Sequence, residues 1–471
     1  MMKLNLTLAL VLLANVLVSS VASAQKINRE ALVARNNPHI TKLDTMASLN
    51  VGNGDFSFTA DVTGLQSFPE LYKNGVPLGT MSNWGWHSFP NTKNLRPEED
   101  LEEYDFGHGH KELYATQFKV DKNAPIEEQQ RMQRKNDAAN YFRSNPHRLH
   151  LGVIGFDFPN NPWRNRGMKS VKTNVEEMVG PGEAIGDGKG VVAKAGKIDL
   201  TAGGMLTGID QTLNMMTGEL SSKFRYAGKD YAVSTFCNPK ADQIAAHIVS
   251  KAKTPLCLRF PYPTGGHSDD ACDWAANDKH STKVIMNSEK AKTAVLLRTI
   301  DSTTYYVIVN WEGKATFEEK SANYFTLTPK QNDLKVIVSY VESLSLNPAI
   351  NINPLKGQGV LTNFDAIASK STDVWTKFWH NTGVVDFSDC TDPRAPELER
   401  RVMLSEWLLA TQCAGNTPPQ ETGLTYNSWF GKFHLEMIWW HQSWLALYNH
   451  PKKAANTLKW YEQAEPIAKE I

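Results

Sequence analysis

The chain has no excess of one charge: 50 basic and 50 acidic side chains cancel across 471 residues, and no long basic run interrupts the balance. That argues against nucleic acid or an anionic membrane surface as the main partner. The five cysteines (Cys237, Cys257, Cys272, Cys390, Cys413) contain no CxxC pair, so neither a zinc site nor a redox motif is indicated. Their odd number leaves at least one thiol free. Cys390 with Cys413 would be a disulfide across a loop and helix, and burial as small hydrophobes fits the same spacing equally well. Gly52-Asn53-Gly54 is not followed by Lys-Ser/Thr, so it reads as a tight turn leading into a strand and not as a phosphate cradle. Asp269, Asp270 and Asp273 lack EF-hand spacing and read as a solvated loop. No metal and no cofactor are expected, and no internal repeat is visible.

Only the first two dozen residues carry an apolar run of note. Lys3 supplies a positive start, Leu6–Val18 is short and apolar, and Ala22-Ser23-Ala24 fits the small-residue cleavage pattern before Gln25. Residues 1–24 therefore read as a secretory signal cut near Ala24, too short for a membrane span. The mature protein is expected to be periplasmic or secreted, with no membrane span after signal cleavage.

A chain this long exceeds one compact core, so two or more domains are expected. From Leu49 to Tyr340 short alternating runs (Phe56–Val62, Arg148–Phe156, Lys223–Phe236, Ile244–Ser250, Thr303–Trp311) are separated by Gly, Pro, Asn and Asp. Tyr226–Tyr231 and Trp311–Lys314 read as hairpin turns. This predicts a large antiparallel β-sandwich over 25–347, with Val179–Gly204 as a surface excursion and Glu99–Glu103 and Glu127–Lys135 as solvated charged or helical insertions. After Pro348 the period becomes helical. Residues 348–390 read as linker helices, with Trp375, Phe378 and Trp379 at helical spacing in Asp365–His380. Pro396–Cys413 is a helix with Pro396 in its first turn and Leu398, Val402, Leu409 and Cys413 along one face. A last helix starts at Pro451, and Pro466 is expected to kink or end it.

Against this background Asn427–His450 (NSWFGKFHLEMIWWHQSWLALYNH) stands out, with four tryptophans, three histidines and one acid, Glu436. Aromatic faces stack on pyranose rings and carboxylates handle hydroxyls and protons, so the combination points to sugar chemistry. If helical from Phe433, Glu436 and Trp440 share one face and His434 and His441 another. The histidines are seven apart and not four, which excludes the two-histidine zinc-protease pattern. Plainer readings place Trp439, Trp440 and Trp444 in a core and pair a buried Glu436 with Lys432 or Arg401. Trp84-Gly85-Trp86-His87 is a second candidate, a loop whose indoles could cap a sugar pocket or pack against the neighbouring domain.

The runs Gly52–Glu70, Asn83–Asn91, Asn145–Gly152 and Gln412–His441 resemble bacterial six-hairpin glycosidases and are similar to glycoside hydrolase family 65. The resemblance implies a β-sandwich followed by an (α/α)6 barrel with the sugar pocket at its mouth. It gives Glu436 the place of an acid that binds the sugar, with His434 beside it, although family 65 usually has Asp there. Residues 391–471 would be the start of that barrel. The general acid of such enzymes lies in the later half, beyond Ile471, so the chain is expected to be a truncated form that hydrolyses no glycoside by itself. The implied function is an exported glycoside hydrolase acting by inversion on an oligosaccharide or glycoside, with an α-glucoside favoured. The substrate-binding candidates are Glu436, His434, Trp439, Trp440, His441, Trp84, Trp86 and His87. A non-catalytic carbohydrate-binding protein is the rival, and a polysaccharide lyase a weaker one.

Overall fold

The computed structural model describes residues 27–158, 205–342 and 359–470. The proposed signal and the glycine-rich passage up to Gly204 lie outside the described residues.

Strand alternation builds the larger part. In Glu219–Tyr226 the residues Leu220, Ser222, Phe224 and Tyr226 point inward and their neighbours outward. Tyr226 pairs with Lys229 across Ala227 and Gly228. Both turn residues have positive φ (48° and 76°), as a type I′ hairpin requires. Repeated meanders of this kind form a nine-stranded antiparallel sheet that runs in space from His39–Ile40 through Leu206–Asn214 to His280–Ser288. A four-stranded sheet (Ala315–Ser321, Tyr324–Pro329, Leu256–Arg259, Val153–Phe156) shares one core with it. Within that core Phe224 and Tyr231 stack with ring centroids 4.9 Å apart. The expected hairpin at Trp311–Lys314 is instead a corner. Thr303–Glu312 belongs to the large sheet and Ala315–Ser321 to the small one, and Gly313 turns between them at φ 101°.

Among the described residues the main helices are α1 (Arg29–Arg35), α2 (Ile126–Ser144), α3 (Phe364–Asn381), α4 (Ala395–Gln412), α5 (Ile438–Leu447) and α6 (Pro451–Glu470). The Asn363 side chain caps α3 by accepting from Ala366 N at 3.0 Å. Helix α3 then covers the outer face of the large sheet, where Phe364 and Ile367 pack on Phe236, Ala245 and Ile337. Trp379 Nε1 donates to Met215 O at 2.7 Å and fixes its far end. None of the described helices is long and apolar enough to cross a membrane.

Helix α4 corrects the expected face. Its buried stripe is Ala395, Glu399, Met403, Glu406, Trp407 and Ala410, while Leu398 is exposed. Glu399 tolerates burial because it accepts from Arg35 and Asn36, whereas Glu406 accepts only from the Thr382 hydroxyl among the described residues and is held in its protonated form by burial. The last helix passes through Pro466, which sits in an exposed final stretch where a lost N–H bond matters least. No disulfide joins Cys390, which is exposed, to Cys413, which is buried.

The sandwich meets the helices at Asn53–Asp55. Gly54 N donates to Thr411 O at the end of α4, at 3.0 Å. A Cβ on Gly52 would lie 2.4 Å from Thr411 O, so glycine is what lets the turn seat there.

Candidate functional site

The aromatic segment is less helical than its spacing suggests. Asn427–Ser428 pairs as a short strand with Ser268–Asp269. Trp429–Gly431 is a 3-10 turn, and Gly431 has φ 72° with Arg148 Cβ only 2.3 Å from where its own Cβ would stand. Residues 432–437 are extended and then turn, and α5 begins only at Ile438. Glu436 therefore stands in the turn that opens α5, where a negative charge is favoured by the helix dipole.

Burial then splits the tryptophans. Trp444 is core, with its Nε1 donating to His441 O at 2.9 Å. Trp439 and Trp440 are 68% and 63% exposed, beside exposed Leu435 and Glu436. Glu436 is not the buried acid of the plainer reading. Lys432 donates to Asn145 O and Phe142 O, and Arg401 pairs with Glu397. The inner face of α5 is held by Gln442 Nε2 on Cys413 O and by His441 Nε2 at 3.1 Å from Glu421 O. An anchored helix thus presents two indoles and a carboxylate to solvent.

The histidines serve the inner side. His441 is buried, and burial, with His434 nearby, lowers its pKa. His434 is half-buried, with its ring 6.2 Å from that of Trp429.

The Trp84–His87 loop packs mainly within its own sandwich, and Trp86, through Phe433, also touches the neighbouring helical part. Trp84 Nε1 donates to Asp242 Oδ2 at 2.6 Å, and its ring lies against Tyr305. Trp86 lies under the Arg148 guanidinium, 4.2 Å from its carbon, and meets Phe433 edge-on. His87 is 1% exposed, with Nδ1 at 3.0 Å from His147 Nε2 and Nε2 at 3.0 Å from Asp301 Oδ2. Its ring leaves no edge for a ligand. The structure therefore leaves Glu436, Trp439 and Trp440 exposed at the start of α5, while Trp84, Trp86 and His87 lie in packing.

Sequence reasoning missed three carboxyl groups whose pKa burial raises, Asp61, Asp242 and Glu406, the first to about 6. Asp242 is pushed up to about 7 by burial, against hydrogen bonds from Ser82 and Trp84, with Asp55 adding to the rise. Glu406 is pushed up to about 8, again by burial. A signal existed for the last: Glu399, Met403, Glu406 and Ala410 follow a helical stripe that hides two acids among apolar residues. Among the described residues no group of His, Cys, Asp or Glu could hold a metal ion.

No family model and no curated protein matches the chain. Its backbone is similar to that of a protein assigned as a kojibiose phosphorylase from the human microbiome, with TM-score 0.34 and 13% identity over 48% of this chain and 32% of that one. It is similar to a bacterial glucoamylase complexed with acarbose, with TM-score 0.35 and 9% identity over 53% and 40%. It is also similar to a family GH92 alpha-mannosidase from Bacteroides thetaiotaomicron, with TM-score 0.22 and 9% identity over 44% and 27%. The chain thus spans less than half the length of each.

Proposed function

We propose that the chain recognises a saccharide on the surface formed by Trp439, Trp440 and Glu436, as part of an exported glycoside hydrolase of the six-hairpin type. The observation that carries the reading is the pair of indoles left in solvent beside a carboxylate, on a helix whose other face is fully packed. Soluble proteins expose clustered large apolar side chains where something binds. Indole faces suit the C–H face of a pyranose, and a carboxylate accepts its hydroxyls, so a sugar satisfies both halves of the surface. In this reading α4–α6 belong to an (α/α)6 assembly, the substrate is an oligosaccharide with α-linked glucose, and cleavage inverts the anomeric centre. Inversion needs two carboxyl groups roughly 6.5–9.5 Å apart across the bond. Glu436 is assigned to sugar binding, and the proton donor is not assigned. Export follows from the signal, and a mature amino terminus at Gln25 would be read by mass spectrometry of the secreted protein.

A second reading, carbohydrate binding without cleavage, is favoured by one observation. Glu436 stands in solvent beside exposed indoles, which suits holding a saccharide and needs no second carboxyl group. Calorimetric titration with maltooligosaccharides tests the recognition common to both. Release of reducing sugar then separates hydrolase from binder, and a requirement for phosphate would mark a phosphorylase.

A further inference from the structure

A cavity of about 390 Å³ lies where the sandwich meets the helices, apart from the residues of the aromatic surface. The turn at Asn53–Asp55 and the loop Pro239–Asp242 form one side. Trp375 and Phe378 of α3, the Ala414–Asn416 stretch after α4, and Lys453 and Asn456 of α6 form the other. The volume is in the range of small-ligand pockets and matches a monosaccharide better than an oligosaccharide.

Two aspartates and two lysines line the cavity. Asp55 is fully occupied: Oδ1 accepts from Asn83 Nδ2 at 2.8 Å and Asn416 N at 2.7 Å, and Oδ2 accepts from Asn416 Nδ2 at 2.8 Å. Asp242 Oδ2 accepts from Ser82 Oγ at 2.5 Å and Trp84 Nε1 at 2.6 Å. Neither Lys240 nor Lys453 has an ion-pair or side-chain hydrogen-bond partner among the described residues. Burial lowers the Lys453 pKa most, the Asp55 charge raises it, and the Lys240 charge lowers it, so Lys453 senses both a carboxylate and a second lysine across the site. Lys453 also lies 5.9 Å from the Phe378 ring centroid. Two lysines that no carboxylate among the described residues contacts directly, facing a half-enclosed space, suit an anion. The aromatic wall and the Asn456 amide add what a ring and its hydroxyls need.

We propose that this cavity binds an anionic monosaccharide, a pyranose bearing a carboxylate or a phosphate ester, with its charge between Lys240 and Lys453 and its ring against Trp375. The site goes beyond the aromatic surface and does not depend on it.

The test is calorimetry on the full chain with D-glucuronate, D-glucose 6-phosphate and neutral D-glucose. The double variant W439A/W440A is titrated alongside, so that failure at one site is not taken for failure at the other. The expected result is that at least one anionic probe binds wild type and the double variant equally, and at least tenfold more tightly than glucose. The tighter of the two names the acidic group. Lys453→Gln and, separately, Lys240→Gln on the loop each weaken it at least tenfold, in protein with wild-type near-UV dichroism. The proposal is overturned if neither anion binds, if glucose binds as well, or if both folded lysine variants keep full affinity.

Discussion

The Trp84 indole N–H is spent on Asp242, at 2.6 Å, and this one bond takes a residue that looked like a sugar platform into the wall behind the junction cavity. Asp242 also receives the Ser82 hydroxyl, so the loop and the strand Thr80–Ser82 converge on one carboxyl. Trp84→Phe keeps an aromatic ring beside Tyr305 and removes the donor together with part of the indole. It should cost about 1–3 kcal/mol of stability in urea unfolding, because a buried acceptor loses a partner. Affinity for maltooligosaccharides should stay unchanged. A variant of normal stability with weakened sugar binding would return Trp84 to the ligand surface.

Glu406 sets a pH dependence whose sign is unusual for an acid. Burial raises its pKa from 4.5 to about 8, so the folded chain holds a proton that the unfolded chain gives up. Between those values stability should fall as pH rises, by up to about 5 kcal/mol over the window. Glu406→Gln cannot ionise and lacks that slope. Denaturation at pH 5 and pH 8 should show the variant gaining on wild type at the higher value. Parallel behaviour of the two proteins would show that Glu406 is ionised in the fold.

Gly431 is required by its surroundings more than by its own turn. Its φ of 72° already disfavours a side chain, and a Cβ would stand 2.3 Å from Arg148 Cβ, whose residue is fully buried. Gly431→Ala should destabilise by about 2–4 kcal/mol, through backbone strain and a displaced Arg148. Thermal unfolding reads it directly, and a change below about 0.5 kcal/mol would mean that the segment is placed otherwise.

What was legible followed from short-range pattern. Phe364–Asn381 became a helix where Trp375, Phe378 and Trp379 predicted one, and the Tyr226–Tyr231 hairpin formed through Ala227 and Gly228. What was not legible depended on partners distant in the chain. The inward face of α4 was misread because Glu399 is neutralised by Arg35, more than three hundred and sixty residues earlier. Trp444 and Trp440 look alike in sequence, and only the docking of α5 against the Gln412–Asn427 region separates the core ring from the exposed one. Trp311–Lys314 has hairpin chemistry, but its two strands enter different sheets, which turn residues alone do not specify.

The central claim is that Trp439, Trp440 and Glu436 grip a saccharide, and the direct measurement is calorimetric titration of maltooligosaccharides into wild type, Trp440→Ala and Glu436→Gln. Both side chains are exposed, so folding should be untouched. The account predicts saturable binding by wild type, a loss of about 1–2 kcal/mol on removing the indole, and no detectable binding by Glu436→Gln. Equal affinity in all three proteins, or none in wild type, would contradict it.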